Sequence, residues 1–507
     1  MQRRALGLLA LPALAPARAQ HAARIAVLHM NDFHSRHQAI AGNAAACREG
    51  VACYGGSARL AAAVAEGRGE AAAAGRAAIL LDAGDQFMGS LFYTHHRGLA
   101  EAAVQRAIGT AAMAVGNHEF DNGPQVLAGY ADAAAFPLLS ANMDASRSAA
   151  LAGRIRPWVE FALGGARLAV IGLTTPDTAN ISSPGPDIGF SDPAEAAERA
   201  IWDARRTGPC TVVLLSHLGV AADRRLAENL RGVDVILGGH SHTLLANGLA
   251  EAAGPHPVLA RGVRIAQAGA HGRYLGRLDL DIAADGRVVA HGGEVRELHA
   301  GLPEDPSVAA LVTTLAAPLE ETRRRPVARL PQALDNAPCG VSPCDIGALV
   351  ARSMRQAVPD AQIGWMNGGG IRAGLPAGQV TWGDVLTTLP FQNTVARMVL
   401  RGHSIVAALE NGVARWPMVA GRFPQLVGLR FTLIQNAPAG SRVAAVEVEE
   451  GGAWRALDPG RAYVVATNNF LRRGGDGYAM FRDEALEYYD QGPGVEEALV
   501  AWLTASR

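Results

Sequence analysis

Short apolar runs recur along the first 240 residues and predict buried β-strands. Each run is bounded by glycine or polar residues, which is typical of strands buried on both faces. The runs are Ile25–Leu28, Ala77–Leu81, Ala111–Val115, Val212–Leu215 and Val233–Leu237. Alanine-rich stretches at Ser57–Arg76 and Gly98–Ile108 lie between them and predict helices on the sheet faces. Further strands at Val263–Ala268 and Tyr274–Ile282 complete an alternating α/β domain.

The pattern changes after residue 301. Apolar residues across Leu302–Arg325 have helical spacing, and the triplet Arg323–Arg325 suits a helix C-terminus, so we expect one interdomain helix here. Beyond Val327, a helical pattern at Cys344–Ala357 and a strand pattern at Ala361–Trp365 indicate a second domain. The predicted division is therefore residues 24–301, 302–326 and 327–507.

Residues 1–19 have the pattern of a signal peptide. Arg3 and Arg4 precede the apolar run Ala5–Ala15, and Ala17–Ala19 offers a small-x-small cleavage site. The apolar run is too short to span a bilayer. We therefore expect export to the periplasm or the medium, by the general or the twin-arginine route, and no integral membrane segment in the mature chain.

Composition excludes some classes of partner. The chain has 507 residues, of which 49% are hydrophobic, enough for several domains with sizeable cores. The net charge of −1 gives no electrostatic reason to bind nucleic acid polymers or anionic membranes. Five cysteines in an exported chain are expected to form disulfides.

Candidate metal ligands follow the five strand patterns. Open α/β sheets gather such residues at the rim formed by their strand ends. The residues are Asp32, His34, Asp85, Asn117, His217, His240 and His242. Carboxylate, imidazole and amide oxygen ligands suit divalent Zn, Mn, Co, Fe or Mg, and the absence of cysteine argues against a structural thiolate site. We therefore expect all seven side chains at one rim of a sheet.

Seven ligands are enough for two ions when one carboxylate bridges them. The two groups that we assign, with Asp85 as the bridge, are Asp32, His34 and His242 for one ion and Asn117, His217 and His240 for the other. Two ions about 3.5–4 Å apart form the clamp used for in-line attack at phosphorus, with an activated water as the nucleophile. The pattern thus predicts a dinuclear phosphohydrolase centre.

His118 directly follows a ligand and is not assigned to a metal. Asp121 lies three residues later, one helical turn away if a helix begins there. A carboxylate on one imidazole nitrogen fixes the tautomer and leaves the other nitrogen free to face a phosphoryl oxygen or a leaving group. We predict that His118 and Asp121 stabilise the transition state and donate a proton.

The C-terminal half carries candidates for a nucleotide site. Three glycines after Asn367 allow the backbone to approach a ligand closely, and Arg372 offers a planar fork for phosphate. Phe391 and Phe470 can sandwich a base, since stacking is worth about 1–3 kcal/mol per base. Asp476 can accept hydrogen bonds from ribose hydroxyls.

Together these motifs resemble those of the 5′-nucleotidase family of the calcineurin-like metallophosphoesterases. The segments that carry the resemblance are Asn31–His34, Leu81–Gln86, Gly116–Glu119, Ser140–Asn142, Gly239–His242, Asn367–Arg372, Leu389–Phe391, Thr467–Phe470 and Gly474–Tyr478. The family includes bacterial periplasmic UDP-sugar hydrolases and animal ecto-5′-nucleotidases. The likeness covers nearly the whole mature chain.

The resemblance implies a fold and an activity. The fold is a four-layer αββα sandwich joined to an α+β nucleotide-binding domain, with a cleft between them that a rotation of the domains closes. Phe391 and Phe470 would clamp the base, and Asp476 would hold the ribose. The implied reaction releases phosphate from nucleoside 5′-monophosphates.

The spacing of the cysteines is also similar to that in the family. The resemblance implies short-loop disulfides Cys47–Cys53 and Cys339–Cys344. Cys210, just before a predicted buried strand, is expected to be a buried free thiol.

Two positions depart from the family pattern. His242 replaces the Asn or Gln of the members named above, which bears on metal preference because imidazole is also a competent ligand. Gly340 stands where family members carry an arginine that contacts the substrate phosphate. The arginines that remain as candidates for this role are Arg36, Arg372, Arg472 and Arg473.

Other functions are alternatives at this stage. UDP-sugars, 2′,3′-cyclic nucleotides and nucleoside diphosphates are substrates of the same chemical class. The thiosulfate-processing branch of the superfamily lacks the His–Asp pair, which His118 and Asp121 supply here. A catalytically silent nucleotide-binding protein would have lost metal ligands, whereas all seven are present.

Overall fold

The computed structural model describes residues 23–41, 47, 50, 52–391 and 393–505. The signal peptide expected over residues 1–19 lies outside the described residues. Within them, no helix combines the length and apolar character needed to cross a bilayer.

The N-terminal domain contains a first large sheet of mixed direction. Its strands Ala23–Met30, Ala77–Asp82 and Ala112–Ala114 are parallel, and Tyr274–Ile282 is antiparallel to Ala23–Met30. The strand order across this sheet is Val288–Glu297, Tyr274–Ile282, Ala23–Met30, Ala77–Asp82, Ala112–Ala114, Leu138–Leu139 and Ile155–Arg156.

The second large sheet also has a parallel centre. Thr211–His217 lies between Ala166–Thr174 and Val235–Gly238, and all three strands are parallel. The strand order is Val258–Ala260, Val263–Ala266, Val235–Gly238, Thr211–His217, Ala166–Thr174 and Trp158–Leu163. The parallel strands of both sheets carry apolar residues on both faces, as the sequence predicts.

The two sheets pack face to face around one apolar core. Ile25 and Val27 of the first sheet belong to the same buried cluster as Val170 and Val213 of the second. The backbones approach closely at Gly172, where an added Cβ would lie 2.3 Å from the carbonyl group of Leu139. Glycine is therefore required at this point of contact between the sheets.

Helices cover the outer faces of both sheets. Those over the first sheet are Ser57–Ala73, Leu99–Ile108, Pro124–Ala134 and Pro306–Ala316, and those over the second are Pro193–Arg205 and Val220–Asn229. The Asp192 carboxylate accepts the N–H groups of Ala194 and Glu195 and so caps the helix Pro193–Arg205. The layers run helix, sheet, sheet, helix, so the four-layer sandwich is confirmed.

Two sequence predictions are wrong in detail. The metal-ligand segments were expected at the rim of one sheet but follow strands of both, because buried strands of the two sheets look alike in sequence. The helix expected across Leu302–Arg325 is two helices, Pro306–Ala316 and Leu319–Arg324. Pro318 separates them because its ring removes a backbone donor and clashes with the preceding turn.

The C-terminal domain has a central sheet with helices on both faces. Its strands, in order, are Pro424–Val427, Ile363–Asn367, Ala462–Asn468, Val395–Arg401 and Glu487–Tyr489. Asp345–Ala357 and Val495–Ala505 pack on one face, and Gly402–Val413 packs on the other. The expected helix at Cys344–Ala357 and strand at Ala361–Trp365 are both confirmed.

Smaller elements complete this domain. Pro326–Leu330 pairs with Gly378–Thr381, which leads into the helix Trp382–Thr388. A second small sheet contains Leu429–Leu433, Val443–Glu450 and Ala453–Ala456. The disulfides Cys47–Cys53 and Cys339–Cys344 are both present, and Cys210 is a buried free thiol, as expected.

Gly172→Ala should lower the thermal unfolding midpoint by several degrees, because the new methyl group overlaps the Leu139 backbone and overpacking costs about 1–3 kcal/mol. Differential scanning fluorimetry measures this change. Gly129→Ala is the matched control, since Gly129 lies on the helix Pro124–Ala134 with open space around it. Equal midpoints for the two variants would contradict the close sheet contact.

Candidate active site

Loops that follow strands of both sheets meet at one end of the sandwich. The backbone N–H of Asp32 donates to the carbonyl of Gly84 at 2.8 Å, and that of His34 donates to the carbonyl of Asp85 at 3.0 Å. The side chains gathered there are Asp32, His34, Asp85, Asn117 and His217, which are buried, and His240 and His242, which are partly buried. The predicted ligands therefore come together.

Hydrogen bonds to main-chain carbonyls orient two of the imidazoles. Nδ1 of His34 lies 3.1 Å from one carbonyl oxygen, and Nδ1 of His217 lies 2.7 Å from another. Donation from Nδ1 leaves Nε2 as the basic nitrogen. The Nε2 atoms of His34 and His242 are 3.0 Å apart, and Nε2 of His217 is 3.0 Å from Oδ2 of Asp85.

This cluster contains buried ligand-type atoms that lack a hydrogen bond of acceptable geometry. Among the described residues, they include Oδ2 of Asp85, Oδ1 of Asn117, Nε2 of His217 and Nδ1 of His240. Buried polar atoms are otherwise nearly always satisfied. Two nitrogens held at right angles, each about 2.1 Å from one ion, lie about 3.0 Å apart. The His34–His242 separation matches this spacing, so the residues fit divalent metal ions.

Burial sets the protonation of the cluster. Burial and a neighbouring imidazole lower the pKa of His34 to about 3 and that of His240 to about 4. Both imidazoles are therefore neutral at neutral pH, which is the form that binds metals. Burial opposes ionisation of Asp85, but His217 and His118 outweigh it and hold the pKa of this carboxyl well below its usual value. Burial opposes protonation of His217, but Asp85 outweighs it and raises the pKa of this imidazole to about 10. The neutral imidazoles of His34 and His240 beside the ionised Asp85 carboxylate suit a cation.

His118 and Asp121 are in hydrogen-bonding contact. The short helical turn His118–Phe120 brings Nδ1 of His118 to 2.6 Å from Oδ2 of Asp121. Burial lowers the pKa of His118, but the carboxylates of Asp121 and Asp85 outweigh burial and raise this pKa to about 9. The His118 ring lies 5.1 Å from that of His34. A protonated imidazole therefore lies beside the ligand cluster.

Most of the candidate ligands lie in unusual backbone conformations. The residues with φ between 51° and 72° are Asp32, His34, Asp85, His240 and His242. Residues other than glycine rarely adopt this left-handed region, and each such residue costs of order 1–3 kcal/mol. The surrounding hydrogen bonds must offset this cost.

Glu119 positions the site, and sequence reasoning gave it no role. Its buried carboxylate accepts the N–H groups of Asp85 at 3.1 Å, Gln86 at 2.8 Å and Gly116 at 2.7 Å. It thereby joins the loop that carries Asp85 to the loop that carries Asn117. Its place in the Gly116–Glu119 motif is the signal that could have identified it.

His271 is a second residue that sequence reasoning missed. Ligand atoms of His34, His242 and His271 all lie within 4.8 Å of one another. His271 follows the strand Val263–Ala266, so a histidine after an apolar run was the available signal.

The C-terminal domain also contacts the candidate ligands. Nδ2 of Asn117 donates to the hydroxyl of Tyr489 at 3.2 Å, and Nε2 of Gln491 donates to the carbonyl of His240 at 2.7 Å. No local pattern in the sequence marks Tyr489 or Gln491. The two domains therefore meet directly at the metal-ligand cluster.

Four of the residues predicted to bind a nucleotide form two separate pairs. Nδ2 of Asn367 donates to Oδ2 of Asp476 at 2.8 Å, and Nδ2 of Asn468 donates to Oδ1 of Asn367 at 3.0 Å. Separately, the Arg372 guanidinium lies 5.8 Å from the centroid of the Phe391 ring.

The Phe470 ring packs on the glycine that precedes Asp476. The Phe470 side chain is 44% exposed, and its ring covers Gly475, where a Cβ would lie 2.5 Å from ring atoms. Within the described residues, its ring makes no stacking contact with Phe391. The structure therefore brings Asn367 to Asp476 and Arg372 to Phe391, but does not bring the two phenylalanine rings into contact.

The arginines considered for phosphate binding differ in availability. Arg472 forms a bidentate ion pair with Asp490, which also accepts a 3.1 Å hydrogen bond from Arg473. Arg36 is buried, whereas Arg372 is exposed. Arg372 is therefore the best placed of these arginines to meet a ligand from solvent.

Comparison with known proteins identifies a family for each of the two domains. Residues 25–244 match the family model of calcineurin-like phosphoesterases, and residues 323–483 match that of the 5′-nucleotidase C-terminal domain. The 5′-nucleotidase of Bos taurus is 31% identical over 515 residues, which cover 96% of this chain and 88% of that protein. The trifunctional nucleotide phosphoesterase protein YfkN of Bacillus subtilis is 34% identical over 458 residues, covering 81% of this chain and 31% of that protein.

Solved structures agree as well. The crystal structure of the 5′-nucleotidase precursor from Thermus thermophilus is 37% identical with a TM-score of 0.62, covering 95% of this chain and 96% of that chain. The NAD nucleotidase of Haemophilus influenzae, at 24% identity and a TM-score of 0.80, shares the fold over 95% of this chain and 96% of that one. Fold and donor set define a metallophosphoesterase with a nucleotidase C-terminal domain. The chain belongs to the 5′-nucleotidase family, which implies divalent metal ions.

Chelator-stripped protein should gain thermal stability when Mn²⁺ or Zn²⁺ is added, because ions that bind only the folded state raise its unfolding midpoint. Asp85→Asn should abolish most of this gain, since it removes the charge at the centre of the cluster. Differential scanning fluorimetry with a metal titration measures both effects. Asp203→Asn, at an exposed position on the helix Pro193–Arg205, is the matched control and should respond like the unmodified protein. A full metal response from Asp85→Asn would contradict the site.

Proposed function

We propose that this chain is an exported hydrolase that uses two divalent metal ions to convert nucleoside 5′-monophosphates to nucleoside and phosphate. One observation carries the proposal: candidate metal-ligand atoms converge beside a protonated His118, at residues that the C-terminal domain also contacts. The N-terminal pattern of residues 1–19 and the two disulfides support export. The division of the chain at residues 301 and 327 is part of this proposal.

Each ion has its own ligands in this proposal. With Asp85 as the bridge, the ligands are Asp32, His34 and His242 for one ion and Asn117, His217 and His240 for the other. When bound, such a pair supplies Lewis-acid activation of the phosphoester and of the attacking water. The neutral imidazoles of His34 and His240 and the buried Oδ1 of Asn117, which accepts no hydrogen bond, support this assignment.

His118 and Asp121 supply the proton that the leaving group needs. As water attacks phosphorus, the bond from phosphorus to the nucleoside oxygen breaks, and that oxygen takes the proton from Nε2 of His118. Asp121 keeps its hydrogen bond to Nδ1 and so holds the ring in one orientation. Before proton transfer, the positive imidazole also stabilises the negative charge that develops on the phosphoryl group.

The C-terminal domain binds the nucleoside in this proposal. Asp476, held by Asn367, accepts hydrogen bonds from the ribose, and Phe391 and Phe470 contact the base. Arg372 is exposed beside Phe391 and offers a charge to the phosphate. The contacts of Tyr489 with Asn117 and of Gln491 with His240 join the C-terminal domain to the loops that carry the candidate metal ligands.

His118→Asn should lower kcat by about 10²–10⁴ with little change in KM, because the variant loses the proton donor and keeps the binding groups. Steady-state kinetics with AMP and released-phosphate detection measure both constants. His403→Asn, at an exposed position on the helix Gly402–Val413, is the control. A His118→Asn enzyme with near-normal kcat would refute the role of the pair.

Phe391→Ala should raise KM for AMP by roughly 5- to 150-fold with a smaller change in kcat, because base stacking is worth about 1–3 kcal/mol. Phe391→Tyr keeps an aromatic face and should stay near the unmodified KM. An unchanged KM in Phe391→Ala would remove this ring from the base site.

A substrate panel tests the proposed reaction itself. AMP, ADP, UDP-glucose and a 2′,3′-cyclic nucleotide are compared with added Mn²⁺, Co²⁺, Zn²⁺ or Mg²⁺, and AMP should give the highest kcat/KM. Gly340 replaces the family arginine, so faster turnover of ADP or UDP-glucose would identify a diphosphate substrate instead. Absence of turnover for all four compounds with every metal would refute the proposed function.

A further inference from the structure

We propose that His271 is an additional metal ligand, on the ion that Asp32, His34 and His242 hold. This inference rests on the proposed dinuclear centre and adds a residue that the seven predicted ligands do not include. It gives one of the two ions three imidazoles where the sequence pattern predicts two.

The first argument is the geometry of the three histidines. The ring centroid of His271 lies 5.6 Å from that of His34 and 5.4 Å from that of His242, and those two are 4.9 Å apart. One ligand nitrogen from each ring lies within 4.8 Å of the others. Three imidazole nitrogens this close together can bind one cation.

The second argument is that the His271 loop is fixed to the loop that carries Asp32. The N–H of His271 donates to the carbonyl of Asp32 at 2.7 Å. Asn31 accepts the N–H of Ala268 at 2.8 Å and donates to the carbonyl of Gly269 at 2.6 Å. The position of His271 is therefore set by the same residues that set the position of Asp32.

The loop that carries His271 is also held by packing against Phe33. Gly272 has a φ of 63°, and a Cβ there would lie 2.5 Å from the ring of Phe33. Phe33 lies between the predicted ligands Asp32 and His34, so the His271 loop packs against the loop that carries these two residues. His271 itself has a φ of 62°, in the same left-handed region as Asp32 and His34.

A third imidazole has a consequence for metal choice. Imidazole nitrogen favours Co²⁺ and Zn²⁺ over Mn²⁺ and Mg²⁺, which prefer oxygen ligands. We therefore infer that His271 makes this site selective for the later, softer metals. The effect of its removal should be larger for Zn²⁺ and Co²⁺ than for Mn²⁺.

Metal affinity of the substrate-free protein tests the inference. In chelator competition, His271→Gln should bind one of its two Co²⁺ ions at least about tenfold more weakly, and the other ion unchanged. The visible absorption of the Co²⁺ form should change as one imidazole is lost. His291→Gln, at an exposed position on the strand Val288–Glu297, is the matched control and should leave affinity and spectrum unchanged.

A measurement on the unmodified chain avoids any folding defect of the variant. In Co²⁺-loaded protein labelled with ¹⁵N-histidine, five imidazoles should show the shifts of direct coordination, and four would contradict the inference. The five are His34, His217, His240, His242 and His271.

The outcomes separate this inference from the proposed function. In one outcome, His271→Gln binds both ions with unchanged affinity but has a raised KM for AMP. His271 would then contact the substrate and not the metal, which would overturn the inference and leave the proposed hydrolase function intact. Failure of the unmodified protein to bind two ions would overturn the proposed function as well.

Discussion

The structure depends on an electrostatic constraint at its centre: ionised carboxylates and imidazoles are buried together with few hydrogen-bond donors from other side chains. Asp32 and Asp85 are fully buried, and burying a charge is costly unless it is paired. Main-chain N–H groups meet part of this demand, since the N–H of His240 donates to Asp32 and that of His118 donates to Asp85. Divalent metal ions, which the family implies, would meet the rest, and their binding would then contribute to the stability of the fold.

This constraint explains the loops and the glycines around it. The loops take left-handed conformations so that their backbone donors can turn inward while their side chains converge. Glycine is required at position 116, because a Cβ there would lie 2.2 Å from the Asp85 carboxylate. Glu119 joins the two loops on either side of that contact. The sandwich supplies the rigid frame, since face-to-face packing of two sheets brings strand ends from both to one place.

Much of this could be read from the sequence because its determinants are local. A ligand directly after a buried strand is a short-range pattern, and so is the three-residue spacing of His118 and Asp121. The division of the ligands between two sheets could not be read, because it depends on which buried strands pair. Tyr489 and Gln491 meet residues some 250 to 370 positions away, and nothing in their own neighbourhood marks that contact. The break between the two helices at Pro318 could have been predicted from the proline itself. His271 could have been recognised as a candidate ligand because it follows a strand.

The contacts from Tyr489 and Gln491 link two equilibria. They add hydrogen bonds to Asn117 and His240 only while the C-terminal domain is docked against the N-terminal one. Thermodynamic reciprocity requires that docking of the domains changes the metal affinity by the same factor by which metal binding changes docking. Where the two are coupled, the affinity for metal ions reports how the two halves of the chain are arranged.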